Sequence, residues 1–174
     1  MNTHTNNDAD NAIQLAQMKV IKRMLSDPSV ATSKITTHGR VEEGLACTVR
    51  EGKFTAVTDL GYGMGGAAAG PSPGFYARTA IAGCVAIGVK MAAARDGISL
   101  RTVDVTVSTD FDDLAIFGLG DSTAAPVATQ ILIRVDTDAS HQTVSDLIER
   151  VLDMDPWFLA LRDPQSVVTR LELS

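Results

Sequence analysis

The spacing of apolar residues along this chain shifts between a helical period and a strand period, and the shifts mark out its elements. Residues 11–25 (NAIQLAQMKVIKRML) put Ile13, Ala16, Val20, Ile21 and Met24 on one face. That predicts a helix of about four turns behind a frayed polar start at 1–11. Asp27, Pro28 and Ser29 stop it. Residues 35–38, 45–50 and 53–59 read as strands, the last two joined as a hairpin at Glu51 and Gly52. A glycine-rich stretch at 61–70 then leads into the longest apolar segment.

That segment has clear ends. Ser72 suits an N-cap and Pro73 the first helical position, where its missing N–H is no loss. Gly97 suits the residue after the last turn, and Arg95 favours the negative end of the macrodipole. The 24 residues between Ser72 and Gly97 make about 36 Å of helix, apolar on nearly every side and so expected to be buried. Only 11 uncharged residues separate Arg78 from Lys90, short of the ~18 of a membrane span.

After Gly97 the period becomes two. Val103, Val105 and Val107 face one way and Thr102, Asp104 and Thr106 the other, the mark of a half-buried strand over 100–108. Residues 109–126 form a connection containing Asp110, Asp112 and Asp113, and 127–135 make the next strand. Ser140 caps a second helix whose Val144, Leu147, Ile148, Val151 and Leu152 form one stripe. Asp155 and Pro156 open a last short helical turn through Leu161. Residues 167–173 then predict a closing strand with Val167, Thr169, Leu171 and Leu173 on one face. Hairpins segregated around helices predict an α+β fold rather than a doubly wound sheet.

At 174 residues the chain is long enough for one domain with a real core. Its 45% hydrophobic and 21% charged residues are ordinary for a globular protein in water. A net charge of −6 and an isoelectric point near 4.9 argue against a nucleic-acid surface. Two cysteines make no disulfide scaffold, and the N-terminus lacks a basic region followed by an apolar one. A reducing cytoplasm is therefore the expected compartment.

Cys84 carries the most chemistry, although a lone cysteine on a buried helix is more often packing. It lies about 18 Å from the helix start, beyond the reach of the dipole, so a thiolate there needs a cation from another element or subunit. Cys47 alternates with Ala46 and Thr48, as a packed strand residue does. His4, His38 and His141 show no ligand spacing, so no metal is expected. The glycine loop lacks both a Walker lysine and a parallel βαβ context. The three aspartates at 110–113 lack the closing glutamate of a calcium loop and read as a solvated turn.

Taken together, GMGG at 63–66, PSP at 71–73, AIAGC at 80–84 and GISL at 97–100 resemble the OsmC/Ohr family of osmotically induced and organic hydroperoxide resistance proteins. The resemblance spans residues 35–174, with 1–34 as a polar tail and leading helix. It implies antiparallel sheets around a long buried central helix, in an intertwined homodimer. It also implies reduction of organic hydroperoxides by a thiol, with Cys84 as the peroxidatic residue and no cofactor. The family's resolving cysteine position holds Asp155 here, and its glutamate after the helix-starting proline is Gly74. Its activating arginine maps upstream of the helix, to Arg40 or Arg50.

Two functions follow. One is a one-cysteine thiol peroxidase of oxidative-stress defence, with Cys84 attacking the peroxide and an external thiol reducing the product. The other is a catalytically degenerate protein that binds a small apolar ligand at the dimer interface. Neither calls for nucleic acid or membrane.

Overall fold

The computed structural model describes residues 3–173. Its opening helix, α1 (Thr3–Ser26), is followed by a single 3-10 turn at Pro28–Ala31, where Asp27 Oδ1 accepts the Ser29 amide. The helix therefore starts well before residue 11, within the stretch expected to fray. One reason lies far away in sequence: the Lys90 ammonium is 3.0 Å from Asp10 Oδ1 and donates to the Leu100 carbonyl at 2.6 Å. The stripe expected on residues 13–24 is mostly uncovered, with Val20, Ile21 and Met24 all exposed.

The chain divides into two units, residues 12–80, and residues up to Asn11 together with Ile81 onward. The first unit holds an antiparallel sheet in the order β1 (His38–Val41), β2 (Cys47–Glu51), β3 (Phe54–Thr58). Glu51 pairs with Phe54 across a two-residue turn whose Gly52 has φ 55°, a conformation that favours glycine. The strand expected at 35–38 begins only at His38.

Beyond β3 the glycine-rich loop folds around one carboxylate. Asp59, only 2% exposed, accepts the Leu60 amide at 2.7 Å through Oδ1 and the Ala67 and Ala69 amides at 3.1 Å through Oδ2. Thr58 Oγ1 and the Asp59 amide both donate to the Pro71 carbonyl, fastening the far end of the loop. Gly66 and Gly70 allow this closure, because a Cβ at either would collide with the backbone of Leu60 or Val57. From Pro71 the chain enters α2 (Pro73–Asp96), with Ser72 Oγ accepting the Phe75 amide and Gly97 at φ 71°.

In the second unit, β4 (Thr102–Asp110) pairs antiparallel with β5 (Ala128–Asp136), with Val103 opposite Val135 and Val105 opposite Ile133. These valines and isoleucines pack on a core of Val85, Val89, Ala92 and Ala93 from α2, Leu100, and Leu147 and Val151 of α4 (His141–Leu152). The connection at 109–126 contains a one-turn helix, α3 (Asp113–Ile116), capped by Asp112 through the Leu114 amide. The middle one of the three aspartates is thus a cap. A last short helix, α5 (Pro156–Arg162), has Asp155 as its N-cap.

Two expectations are corrected. Only one face of α2 is covered: Val85 and Val89 are fully buried, whereas Ile87 is 61% and Met91 39% exposed. By length and composition α2 could cross a bilayer, but one face of it packs into the core of this unit. The closing strand at 167–173 does not form. Residues 164–173 have no regular structure and Val167, Val168, Leu171 and Leu173 are exposed, because a strand is stable only against a neighbouring edge.

The backbone bonds from Ala69, Leu60 and Ala67 hold the Asp59 carboxyl below its ordinary 3.8, against the opposing effect of burial. A lowered folded value stabilises the protein above the unfolded pKa, and that contribution is lost as pH falls through the folded one. The stability gap between wild type and Asp59→Asn should therefore narrow between about pH 5 and pH 2, read by urea unfolding. Gly70→Ala should cost about 1–3 kcal/mol by forcing the loop away from Val57. Gly61→Ala, with open space around it, should stay within about 0.5 kcal/mol.

Candidate functional site: the Cys84 pocket

One turn of α2 carries Cys84, Ile87 and Gly88, and the next carries Met91 and Ala92 on the same side. With Val151, Met154, Asp155, Pro156 and Arg95 they line a largely apolar pocket of about 250 Å³. Gly88 sets its depth. A Cβ there would stand 3.1 Å from Val151 Cγ1 and 3.9 Å from Asp155 Oδ2, so the end of α4 and the Asp155 carboxylate approach α2 closely. Asp155 is 4% exposed, and its Oδ1 accepts the Trp157 amide at 3.0 Å and the Phe158 amide at 2.8 Å.

This is the fold of a known group of proteins. The OsmC-like protein family matches residues 65–169. The chain belongs to that family. Solved structures with a similar fold include an OsmC-like protein from Mycoplasma pneumoniae, at 14% identity and TM-score 0.64, covering 75% of this chain and 88% of that one. An organic hydroperoxide resistance protein from Elizabethkingia anophelis aligns at 14% identity and TM-score 0.56, over 75% and 89%. The organic hydroperoxide resistance protein OhrB of Bacillus subtilis aligns at 15% and 0.50, over 75% and 91%. At such identities the likeness concerns fold alone. No curated protein matches the sequence significantly.

The surroundings of Cys84 in this OsmC-like protein favour the neutral thiol. Burial pushes its pKa above the ordinary 9.0, and the nearby negative charge of Asp155 pushes it the same way. Both cysteines are free. Cys47 is part-buried on β2, and a Cβ on Gly39 of β1 would stand 3.3 Å from its Sγ.

Arg40 and Arg50 belong to the other unit. Arg40 lies opposite Thr48 and Arg50 opposite His38, so alternation puts both arginines on one face of the sheet and Cys47 on the other. They line an open depression of about 700 Å³ with His38, Thr48, Ala46, Glu42 and Glu43, and Arg40 pairs with Glu42 at 2.8 Å. The two candidate arginines are therefore companions on one face.

Asp59, which holds the loop before α2, did not stand out in the sequence. The available signal was an aspartate shortly before the run GGAAAG at 65–70, whose amides no bulky side chain blocks. Those amides also explain why the loop is a poor phosphate cradle: two of them, from Ala67 and Ala69, already serve a carboxylate of the chain.

Alkylation of Cys84 followed against pH should give an apparent pKa at or above 9.0. Asp155→Asn keeps an N-cap side chain and removes the charge, so it should lower that value. A thiol more acidic than free cysteine, or one indifferent to the substitution, would contradict the electrostatics described here.

Proposed function

We propose that this OsmC-like protein binds a small apolar molecule in the Cys84 pocket of a homodimer, without turning over peroxides by itself. The observation that carries this reading is Asp155 beside Cys84. Peroxide reduction needs a thiolate to attack the distal peroxide oxygen, which leaves a sulfenic acid and releases an alcohol. A second thiol must then condense with the sulfenic acid to form a disulfide and water. A carboxylate in the neighbouring position disfavours the thiolate and cannot form that disulfide. Apolar walls around a neutral thiol suit binding better than turnover.

The homodimer is supported by the uncovered side of α2, where Ile87 and Met91 face outward, and by the exposed apolar residues of the C-terminal segment. The organic hydroperoxide resistance proteins among its structural neighbours keep a second reading in play. In that reading Arg40 or Arg50 supplies the cation for Cys84, and an external thiol reduces the sulfenic acid. What favours it is the shared face of the two arginines together with a thiol opening on the pocket.

Cumene hydroperoxide consumption with dithiothreitol as reductant separates the two. The binding reading expects wild type to match Cys84→Ser, with no sulfenic acid trapped. Turnover lost in Cys84→Ser and slowed by Arg40→Met or Arg50→Met would establish the peroxidase instead. Sedimentation should show a species of twice 18.4 kDa at micromolar concentration, and an 18.4 kDa species alone would rule out the homodimer.

A further inference from the structure

We infer that the Cys84 pocket selects apolar molecules bearing a positively charged hydrogen-bond donor, an alkylammonium group above all, and that Asp155 Oδ2 is the atom that recognises it. The inference rests on the binding reading above and adds the chemical class of the ligand.

The two carboxylate oxygens of Asp155 are used differently. Oδ1 takes both amides of the α5 cap. Oδ2 is turned toward α2, 3.9 Å from where a Cβ on Gly88 would stand, and Gly88 and Asp155 line the same pocket. A carboxylate oxygen is an acceptor only, and an acceptor stripped of water by an apolar ligand is costly unless the ligand returns a donor.

The rest of the lining sharpens the choice. Ile87, Met91, Ala92, Val151 and Met154 offer contact area without charge, and Arg95, the one cation of the lining, stands on α2 away from Gly88, so the charge beside Cys84 is that of Asp155. A ligand carboxylate near Asp155 would set like charges together in a poorly solvated space. An ammonium there forms a charge-assisted bond, stronger than a neutral one. Arg95 lies seven residues beyond Gly88, about 10 Å along the helix, so an alkyl chain running from Asp155 toward Arg95 covers Met91. A volume of about 250 Å³ limits that chain to a small one. The elevated thiol pKa fits the same picture, since Cys84 adds no second negative charge.

Calorimetric titration of the full chain at neutral pH with n-hexylammonium, n-hexanol and n-hexanoate tests this. The amine should bind about 10-fold or more tighter than the alcohol, with the carboxylate weakest. Asp155→Asn should erase the advantage of the amine over the alcohol. Asp155→Ser, which also retains a capping oxygen, should do the same and guards against a folding defect in the first variant. Hexanoate binding as tightly as hexylammonium, or an amine preference that survives both substitutions, would overturn the inference while leaving an apolar pocket. Failure of all three molecules, hexanol included, would overturn the binding reading and the inference with it.

Discussion

Burial of one stripe of α2 is the interaction on which the second unit depends. Val85 and Val89 are fully enclosed, as are Leu100 and Leu147, and the inward faces of β4 and β5 close over them. Each such side chain contributes about 1.5–3 kcal/mol by removal from water, an upper figure because unfolded chains are partly collapsed. The exposed ion pairs, such as Arg150 with Asp96, belong to a class worth about 0–1 kcal/mol. Packing therefore fixes the rotation of α2, and the ion pairs decorate an arrangement already set. Lys90 fits the same scheme: its charge is met by Asp10 and the Leu100 carbonyl.

Fixing that rotation also fixes the site. Cys84 precedes the buried Val85 by one residue, so the stripe that holds the helix leaves the thiol at its margin, on the pocket side. Gly88, one turn on, removes the side chain that would hold α4 away, and Asp155 arrives with the end of that helix. The same carboxylate caps α5 and biases the thiol. An ordinary capping choice thus carries an electrostatic consequence for Cys84.

Much of this was legible where the signal is local. Ser72, Pro73, Gly97, Ser140 and Asp155 announce helix ends through their own backbone chemistry, and all five stand at those ends. The period-two valines of β4 likewise lie on one face. Legibility failed where an element depends on a distant partner. Residues 167–173 alternate as a strand should, yet alternation supplies no edge to pair with. The start of α1 looked too polar to hold, but a lysine 80 residues away meets Asp10. The composition of α2 predicted burial all round, since composition does not say which side a single chain can cover. At the site, the sequence singled out Cys84 and the changed residue at 155. It gave no hint that Asp59 commands the loop before the helix, because that role rests on amides rather than on side chains.

The balance between the two functional readings comes down to the sign of the charge at Cys84. Burial and Asp155 act in the same direction, so any activating cation has to reverse both. One pKa unit corresponds to about 1.4 kcal/mol. Two unit charges about 4 Å apart interact by about 4 kcal/mol at the effective dielectric of a protein surface. A guanidinium in contact with Sγ would oppose both effects directly, whereas one held two helical turns away would act far more weakly. Arg95, about 16 Å along α2 from Cys84, is too far down the helix axis to serve. Only a guanidinium brought in from another element or subunit can tip the site to thiolate chemistry. Without one, burial and Asp155 together hold Cys84 toward the neutral thiol.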